Sequence, residues 1–249
     1  MFQFFRSLFS AAQSDRQPAV PAGQRVYAIG DIHGRLDLFE ALIAEIEADD
    51  AAAEPARSTV ILLGDLVDRG PDSAGVVRRA RQWQASREVR ILAGNHEEMF
   101  LQAAADHRYL DQWYANGGLA TLASFPADDP RDVPHHYREF IAALPRYILL
   151  ERFVIVHAGL NFTPRDPFED TAAMLWTRSA FVDRRRIGDR RLICGHTPVS
   201  RDQLESSLFS DKIMLDNGCV YDEVRPDMGC LAALELESMT LFLQENIDI

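Results

Sequence analysis

The sequence predicts an α/β (α+β) fold, with a largely parallel sheet in the first half of the chain and an antiparallel sheet in its last third. Short apolar strands alternate with amphipathic helices up to residue 107. Five further strand-like runs begin at residue 153, and little helix separates the last three of them. Hydrophobic residues make up 47% of the 249 residues, which is enough apolar material for a substantial core.

The first half contains three strand–helix units. Apolar runs that end in glycine predict strands over 26–30, 59–64 and 89–94. Helical patterns follow them over 36–48, 73–84 and 96–107. In the first helix the apolar residues at helical spacing are Leu38, Ala41, Leu42 and Ile46.

The rest of the chain is predicted to contain a mostly helical segment followed by further strands. Residues 106–150 predict a mostly helical and irregular segment with a turn at Asn116, Gly117 and Gly118. Further strands are predicted over 153–159, 191–196, 212–218, 229–237 and 240–245. Ser238 and Met239 are expected to form the tight turn of a terminal hairpin.

Residues 1–24 are predicted to be an N-terminal extension and linker ahead of a single domain over 25–249. The stretch 14–24 holds two prolines and a glycine, as linkers often do. The preceding stretch, MFQFFRSLFSAAQ, has one arginine and no long apolar core, so it is a poor secretory signal. Its phenylalanines favour a short helix packed on the domain or on a partner; a peripheral membrane contact is the alternative.

Composition limits the classes of partner. The formal charge is -12, which repels polyanions and argues against a nucleic-acid scaffold. No apolar run approaches the roughly 18 residues of a membrane span. The three cysteines, Cys194, Cys219 and Cys230, are odd in number and lack a C-x-x-C pair. Reduced thiols in a cytoplasmic protein are therefore expected.

Five of the predicted strands end in a side chain that can bind a metal ion, usually beside a glycine. In an open α/β sheet the carboxyl ends of the strands meet along one edge, where such folds bind their ligands. A single histidine at a strand end is often only structural, so the prediction depends on the five ends together. The candidate ligands are Asp31, His33, Asp65, Asn95, His157 and His196.

These ligands are carboxylate, amide and imidazole groups without a thiolate, a set that suits Mn, Fe or Zn better than softer metals. Six side chains exceed the four positions of one tetrahedral ion but match two ions that share a bridging carboxylate. Two-metal sites hold their ions about 3.5–4 Å apart and clamp both oxygens of an in-line displacement. The sequence therefore predicts a site that hydrolyses phosphoesters.

Five motifs together resemble the motif series of the metallophosphoesterases, the calcineurin-like superfamily. They are GDIHG (30–34), GDLVDRG (64–70), GNHE (94–97), HAG (157–159) and GHT (195–197). GDLVDRG with GNHE is the form of the phosphoprotein phosphatase branch, and the small bacterial and phage-type members are similar in length and spacing. The resemblance covers residues 26–222. It implies a central β-sandwich of two mixed sheets flanked by helices, with a two-metal site at the sheet edge.

The resemblance also implies a metal-binding role for each matched ligand. Asp31 and His33 match the ligands of the first metal, and Asp65 matches the carboxylate that bridges both. The ligands of the second metal are Asn95, His157 and His196.

Four residues match the family's catalytic and phosphate-binding groups. His96 matches the general acid, and Asp68 matches its hydrogen-bond partner. Arg69 matches a phosphate-binding arginine, and Arg178, in LWTRSAF (175–181), matches a second. The expected substrate contacts are Arg69, Arg178 and Asn95. In LDNGCVY (215–221), Asn217 replaces the threonine that is more usual in the small bacterial members.

The resemblance implies a metal-dependent phosphatase. Two divalent cations are expected, Mn first and Fe or Zn otherwise, and a hydroxide that bridges them attacks phosphorus directly. The expected substrate is phosphoserine or phosphothreonine on a protein, or a small phosphoester. The alternative is a dinucleoside tetraphosphate or related nucleotide pyrophosphohydrolase. Those members carry an altered second motif and GNHD, so the intact Asp68, Arg69 and Glu97 favour the protein phosphatase.

Two questions stay open at the level of sequence. The stretch 183–191 carries five arginines and predicts either a solvated surface segment or a basic rim that attracts phosphorylated substrates. A non-catalytic scaffold with this fold is disfavoured, because every candidate ligand is present. The oligomeric state is not predicted.

Overall fold

The computed structural model describes residues 23–221, 225 and 227–247, and these form nine strands in two sheets. The strands are β1 (Arg25–Ile29), β2 (Ser58–Leu62), β3 (Val89–Ile91), β4 (Tyr147–Leu149), β5 (Phe153–Val156), β6 (Arg191–Cys194), β7 (Lys212–Met214), β8 (Leu231–Glu235) and β9 (Thr240–Gln244). The helices are α1 (Leu36–Ala52), α2 (Ser73–Ser86), α3 (Asn95–Ala105), α4 (Leu110–Ala115), α5 (Gly118–Ser124), α6 (His135–Ala142), α7 (Thr171–Trp176) and α8 (Arg201–Ser207). Short 3₁₀ helices span His107–Tyr109 and Arg184–Ile187.

The first sheet has the strand order β3-β2-β1-β8-β9. The strands β1, β2 and β3 pair in parallel, as the alternation of strands and helices predicts. The strands β8 and β9 form a hairpin, and β8 pairs antiparallel with β1. The predicted hairpin turn is confirmed: the Ser238 N–H and hydroxyl both donate to Glu235, and Met239 adopts a φ of 59°.

The second sheet has the order β4-β5-β6-β7 and corrects the prediction of an antiparallel sheet in the last third. Only β4 and β5 are antiparallel; β5, β6 and β7 run parallel. The short helices α7 and α8 carry the chain back to the starting edge between these strands, which is what parallel pairing requires. The strand β4 lies in the segment predicted to be mostly helical and irregular, so the prediction missed it.

The two sheets pack face to face, as the predicted sandwich requires. Val26 and Ala28 of β1 join Ile155 and Ile193 of the second sheet in one buried cluster. The alternate residues of β1, Tyr27 and Ile29, point to the helix layer. The strands β1, β2, β5, β6 and β8 are buried on both faces over nearly their whole length, which explains their continuous apolar runs.

The helix layer covers the outer face of the first sheet. Leu38, Phe39, Leu42 and Ile46 of α1 are fully buried in the same cluster as Tyr27. Among the described residues, no helix is both long and apolar enough to cross a bilayer. The predicted Phe-rich extension lies in residues 1–22, outside the described part of the chain.

The carboxyl ends of strands from both sheets meet at one edge. The His157 imidazole lies with Nδ1 3.0 Å from the Leu63 carbonyl, which joins the end of β5 to the end of β2. The Gly195 N–H donates to the His157 carbonyl (2.8 Å), which joins the end of β6 to that of β5. The loops that follow β1, β2, β3, β5 and β6 therefore share one edge of the sandwich.

Candidate active site

The sheet edge gathers two overlapping sets of potential metal ligands that share Asp65. One set is Asp65, His33 and His96, and the other is Asp65, His157 and His196. Within each set the ligand atoms lie within 4.8 Å of one another, and all five residues are buried. The strand-end pattern thus brings together residues from five separate loops.

Asp65 lies at the centre of the cluster, on the loop after β2. Its Oδ2 lies 3.4 Å from His157 Nε2 and 3.5 Å from His33 Nε2, and its Oδ1 accepts the His96 backbone N–H (3.0 Å). Burial alone would raise the pKa of the carboxyl, but His157, His96 and His33 outweigh it and hold the pKa well below its usual range. Asp65 is therefore a carboxylate that faces both ligand sets, as a bridging ligand must.

Asp31, on the loop after β1, is a second buried carboxyl group. Its Oδ2 accepts the His196 N–H (2.9 Å), whereas Oδ1 has no hydrogen-bond partner among the described residues. Burial and the nearby Asp216 and Asp65 raise its pKa well above the ordinary value. Buried carboxylates that repel one another in this way are stabilised when a cation lies between them.

Asn95 joins the two histidines of the second sheet. Its Oδ1 lies 2.8 Å from His157 Nε2 and 2.8 Å from His196 Nδ1. Burial lowers the pKa of both histidines, and burial together with His157 lowers that of His196 to about 3. Neutral imidazoles are the form that binds metals.

The donor set fits divalent cations. Three fully buried polar atoms at the cluster lack a hydrogen-bond partner among the described residues: Asp31 Oδ1, His96 Nε2 and His196 Nε2. Such atoms are costly unless something binds them. Oxygen and imidazole donors around a shared carboxylate suit Mn, Fe or Zn.

Asp68 and His96 form a buried pair beside the ligand cluster. Asp68 Oδ2 lies 2.8 Å from His96 Nδ1, and the same carboxylate accepts the Trp113 indole N–H (2.9 Å) and the Thr121 hydroxyl (2.7 Å). Burial works against a charged imidazole, but Asp65 and Asp68 outweigh it and raise the pKa of His96. The ring is thus oriented by Asp68 and keeps its Nε2 unpartnered on the side of Asp65, 3.9 Å from Oδ2.

The two predicted phosphate-binding arginines differ in position. Arg69 lies within the cluster: one guanidinium nitrogen is 2.7 Å from His33 Nε2, and the group stacks over the Tyr221 ring (5.7 Å to the centroid). Arg178 lies on the exposed loop after α7 and is close enough to act on His196, whose pKa it helps to lower. The structure therefore brings Arg69 into the site and places Arg178 at its rim.

Glu97 has a role that the sequence reasoning missed. Its buried carboxyl group accepts the backbone N–H groups of Gly94 (2.7 Å), Asp65 (2.8 Å) and Leu66 (2.8 Å). Burial and the charge of Asp65 raise its pKa to about 7. The glutamate of GNHE thus ties the loop after β2 to the start of α3, and the motif alone gave no sign of this.

The segment after β7 adds another buried carboxyl group, Asp216, and shows what Asn217 contacts. Asp216 is 3% exposed, and burial raises its pKa to about 6. The Asn217 amide donates to the Val199 carbonyl (2.9 Å) and accepts the Cys230 N–H (3.1 Å), so it joins three loops. The same amide also donates to the Asp227 carbonyl (3.2 Å), and a threonine hydroxyl, with one hydrogen, could not donate to both carbonyls.

Five site residues adopt left-handed backbone conformations: His33, Asp65, Asp68, Arg69 and His196 have φ between 46° and 72°. These conformations are rare outside glycine and accumulate at functional sites. Two glycines are needed for space. A Cβ atom on Gly94 would overlap the Asp65 carboxylate, and one on Gly195 would overlap that of Asp31.

The arginines of 183–191 are mostly occupied with structural contacts. Arg186 donates to the carbonyls of Phe162, Pro164 and Arg165, and Arg191 donates to those of Leu208 and Ser210. Arg190 donates to the Leu150 and Ile187 carbonyls, and the other two pair with aspartates. These contacts favour the prediction of a surface segment over that of a basic rim, since most of these guanidinium groups bind carbonyls of this chain.

Comparisons with known proteins give relatives with two kinds of activity. Serine/threonine-protein phosphatase 1 of Salmonella typhimurium is 28% identical over 214 residues, which cover 80% of this chain and 88% of that protein. The asymmetrical bis(5'-nucleosyl)-tetraphosphatase PrpE of Oceanobacillus iheyensis is 23% identical over 216 residues, which cover 79% and 85%. A protein serine/threonine phosphatase structure from Saccharomyces cerevisiae shares the fold, with a TM-score of 0.59 and 15% identity over 90% of this chain and 81% of that one. The family model for calcineurin-like phosphoesterases matches residues 24–225, and the chain therefore belongs to that family.

Proposed function

We propose that this metallophosphoesterase hydrolyses phosphomonoesters, in the first place phosphoserine and phosphothreonine on proteins, with two divalent cations. The ligands of one cation would be Asp31, His33 and Asp65. Those of the other would be Asp65, Asn95, His157 and His196. When bound, the cations polarise the phosphoryl oxygens and lower the pKa of a water molecule that attacks phosphorus.

The Asp68–His96 pair is the observation that carries the proposal. A serine or threonine alkoxide is a poor leaving group and needs a proton as the P–O bond breaks. His96 has its pKa raised, its Nδ1 held by Asp68 and its Nε2 free of partners among the described residues. The pair can therefore deliver a proton from Nε2 on the side of the ring where the ligands cluster.

Arg69 and Arg178 would hold the phosphoryl oxygens. A planar guanidinium binds two oxygens of a phosphate at once, which fixes the phosphorus for in-line attack. Both arginines act electrostatically on the clustered histidines, Arg69 on His33 and Arg178 on His196. Two guanidinium groups match the charge of one phosphomonoester.

The surroundings of Arg178 also favour a phosphomonoester on a larger molecule. A cavity of about 290 Å³ is lined by Thr177 and Ser179, which flank Arg178, and by Leu160, Phe162 and Phe181. None of its lining residues carries a charge. A neutral, partly aromatic cavity suits an uncharged group next to the phosphate better than a chain of further phosphates.

A dinucleoside tetraphosphate is the second candidate substrate. The observation that favours it is the tetraphosphatase from Oceanobacillus iheyensis, which matches this chain over nearly the same length as the Salmonella phosphatase. Glu97 does not decide between the two, because its carboxyl group binds backbone N–H groups beneath the loop and does not face the cluster. The choice depends on Asp68, Arg69 and the cavity.

A parallel assay with Mn added tests the proposal. The substrates are a phosphoserine peptide, a phosphotyrosine peptide, p-nitrophenyl phosphate and diadenosine tetraphosphate. The proposal expects the phosphoserine peptide to give a higher kcat/KM than diadenosine tetraphosphate. The reverse order would assign the chain to the second candidate.

Two variants test the site. Asp65→Asn and His96→Ala are each expected to reduce turnover of the phosphoserine peptide by about 100-fold or more while the fold remains intact. His107→Ala is the control, because His107 pairs with Asp129 at the surface. Full activity in either site variant would contradict the assignment.

Two predictions from the sequence remain proposals. We propose that residues 25–249 form one catalytic domain, and that the protein works in the cytoplasm. Expression of 25–249 alone tests the first: its turnover of p-nitrophenyl phosphate should match that of the full chain.

A further inference from the structure

Lys212 is the only lysine in the chain, against 25 arginines. It opens β7, next to β6 in the second sheet, and its residue is 9% exposed. No carboxylate among the described residues forms an ion pair with it. Burying a cation without a carboxylate partner is unfavourable unless hydrogen bonds compensate for the lost hydration.

The Lys212 ammonium lies close to the loop after α7, to the loop after β5 and to the last residue of β6. Its Nζ donates to the Ser179 carbonyl (2.9 Å), one residue after Arg178. A Cβ atom placed on Gly159 would lie 3.7 Å from Nζ, so the ammonium passes beside the loop that carries His157. Nζ also lies close to the Cys194 thiol, two residues before His196: burial raises the pKa of that thiol to about 11, and Lys212 opposes the rise.

The loop that receives this contact has few other anchors. Ser179, Ala180 and Phe181 are exposed, and the Phe181 ring is held edge-to-face against Phe162 with 5.7 Å between centroids. The other hydrogen bonds of the loop stay within it or return to α7: the Ser179 N–H donates to the Thr177 hydroxyl (3.3 Å), and the Thr177 N–H donates to the Ala173 carbonyl (3.1 Å). Among the described residues, the Lys212 ammonium thus donates the hydrogen bond that joins this loop to the second sheet.

A lysine fits this position for a physical reason. The ammonium is compact and donates in three directions, whereas a guanidinium is a wide planar fork. Every other basic position of the chain is arginine, so general composition does not explain a lysine here. The requirement is a small cation that can reach a carbonyl past the closely packed Gly159.

We propose that Lys212 is a positioning residue that fixes the loop 177–181 through the Ser179 carbonyl and so holds Arg178 at the rim of the ligand cluster. The inference rests on the proposed function, in which Arg178 binds the phosphoryl group. Lys212 contacts no substrate itself. Its effect on the reaction therefore passes through Arg178.

A double-mutant cycle tests this coupling, with p-nitrophenyl phosphate as substrate and Mn present. Lys212→Met and Arg178→Ala are each expected to lower kcat/KM by about 10- to 100-fold, mainly through KM. The double variant is expected to lie within about twofold of Arg178→Ala, because both changes remove one function. Losses that multiply in the double variant, or an unchanged Lys212→Met, would overturn the proposal.

Stability separates positioning from a general structural role. Methionine matches lysine in length and packs well in an apolar surrounding, so Lys212→Met is expected to melt at the same or a higher temperature than the parent protein. Arg191→Met is the matched control. Arg191 also donates from the second sheet to loop carbonyls, but at residues 208 and 210, away from Arg178. Its kcat/KM should stay within twofold of the parent.

Limited trypsin digestion gives a readout that does not need activity. Cleavage after Arg178, followed by mass spectrometry, is expected to be at least tenfold faster in Lys212→Met, while cleavage after the exposed Arg108 stays constant as internal reference. Equal cleavage after Arg178 in both proteins would refute the anchoring role. If the parent protein hydrolyses no phosphoester, the proposed function fails, but the digestion still decides the role of Lys212.

Discussion

Replacing Asp68 with asparagine isolates the contribution of the proposed acid. The asparagine oxygen can still accept from Trp113 and Thr121, which donate to the Asp68 carboxylate at 2.9 and 2.7 Å. Its amide nitrogen then faces His96 Nδ1 in place of a carboxylate oxygen at 2.8 Å. The packing is kept, and one negative charge beside the imidazole is lost.

The size of the effect follows from this single contact. A hydrogen bond to a charged group contributes about 1.5–3 kcal/mol. One pKa unit corresponds to about 1.4 kcal/mol, so the pKa of His96 should fall by about one to two units. In an assay run at a pH above the parent pKa of His96, the protonated fraction of His96, and with it the rate of a step that needs its proton, should fall by about 10- to 100-fold.

Substrates with different leaving groups distinguish the loss of the proton donor from a general loss of activity. Hydrolysis of a phosphoserine peptide releases an alkoxide that needs the proton, whereas p-nitrophenyl phosphate releases a stabilised phenolate. Asp68→Asn should therefore lower kcat on the peptide by about 10- to 100-fold, and on p-nitrophenyl phosphate by less than about threefold. Equal losses on both substrates would refute the role of His96 as the acid.

Asp72→Asn is the matched control for this experiment. It makes the same chemical change four residues along the chain, where Asp72 Oδ1 accepts the Gly75 N–H (2.7 Å) at the start of α2. Asparagine caps a helix as well as aspartate does. Both substrates should be turned over at the parent rate.

Three further predictions follow from the site and its support. Gly195→Ala should weaken Mn binding by about 10- to 100-fold in a metal titration, because the new methyl group displaces the Asp31 carboxylate; an unchanged affinity would exclude Asp31 as a ligand. Dialysis against a chelator should abolish turnover and lower the melting temperature, and activity that persists with less than one metal per chain would contradict the two-metal proposal. Asp50→Asn should lower the free energy of unfolding at pH 7 by about 1–2 kcal/mol, because Asp50 binds Arg25 and Arg87 at 2.6 and 3.0 Å. Although burial opposes it, Ser58 and Arg25 hold the pKa of Asp50 below its usual value, so this stabilisation is present above about pH 4 and lost as the pH falls further. The free energies of unfolding of the two proteins, measured in urea, should therefore converge as the pH falls through the folded-state pKa of Asp50, and a constant difference would refute the ion-pair explanation.

The sequence predicted which side chains lie together at the sheet edge, but not the direction of every strand. His157 and His196 could be found because each follows an apolar run near a glycine, and the ends of such runs meet at one edge. His196 directly follows Gly195, and His157 lies two residues before Gly159. The direction of β7 could not be read in this way. The helix α8, which connects β6 to β7, has seven residues, so its sequence pattern is too short to predict a crossover between parallel strands.

Contacts between residues far apart in the chain could also not be predicted from the sequence. Trp113 and Thr121 lie in the segment predicted to be helical and irregular, yet both donate to Asp68. Lys212 gave no signal beyond being a lone lysine before a strand. Nothing local in the sequence tells which side chain will end beside a given carboxylate, since that is decided by packing of the sandwich.

The left-handed conformations at the cluster have a consequence for transplanting the site. Each such residue costs about 1–2 kcal/mol relative to an ordinary conformation, so five of them cost about 5–10 kcal/mol, as much as the net stability of many domains. The isolated loops would not favour these left-handed conformations, and the packing of the two sheets stabilises them. A linear peptide that copies residues 64–70 should relax and bind metal poorly. Grafting this chemistry onto another scaffold will therefore require the surrounding edge of the sandwich as well as the motifs.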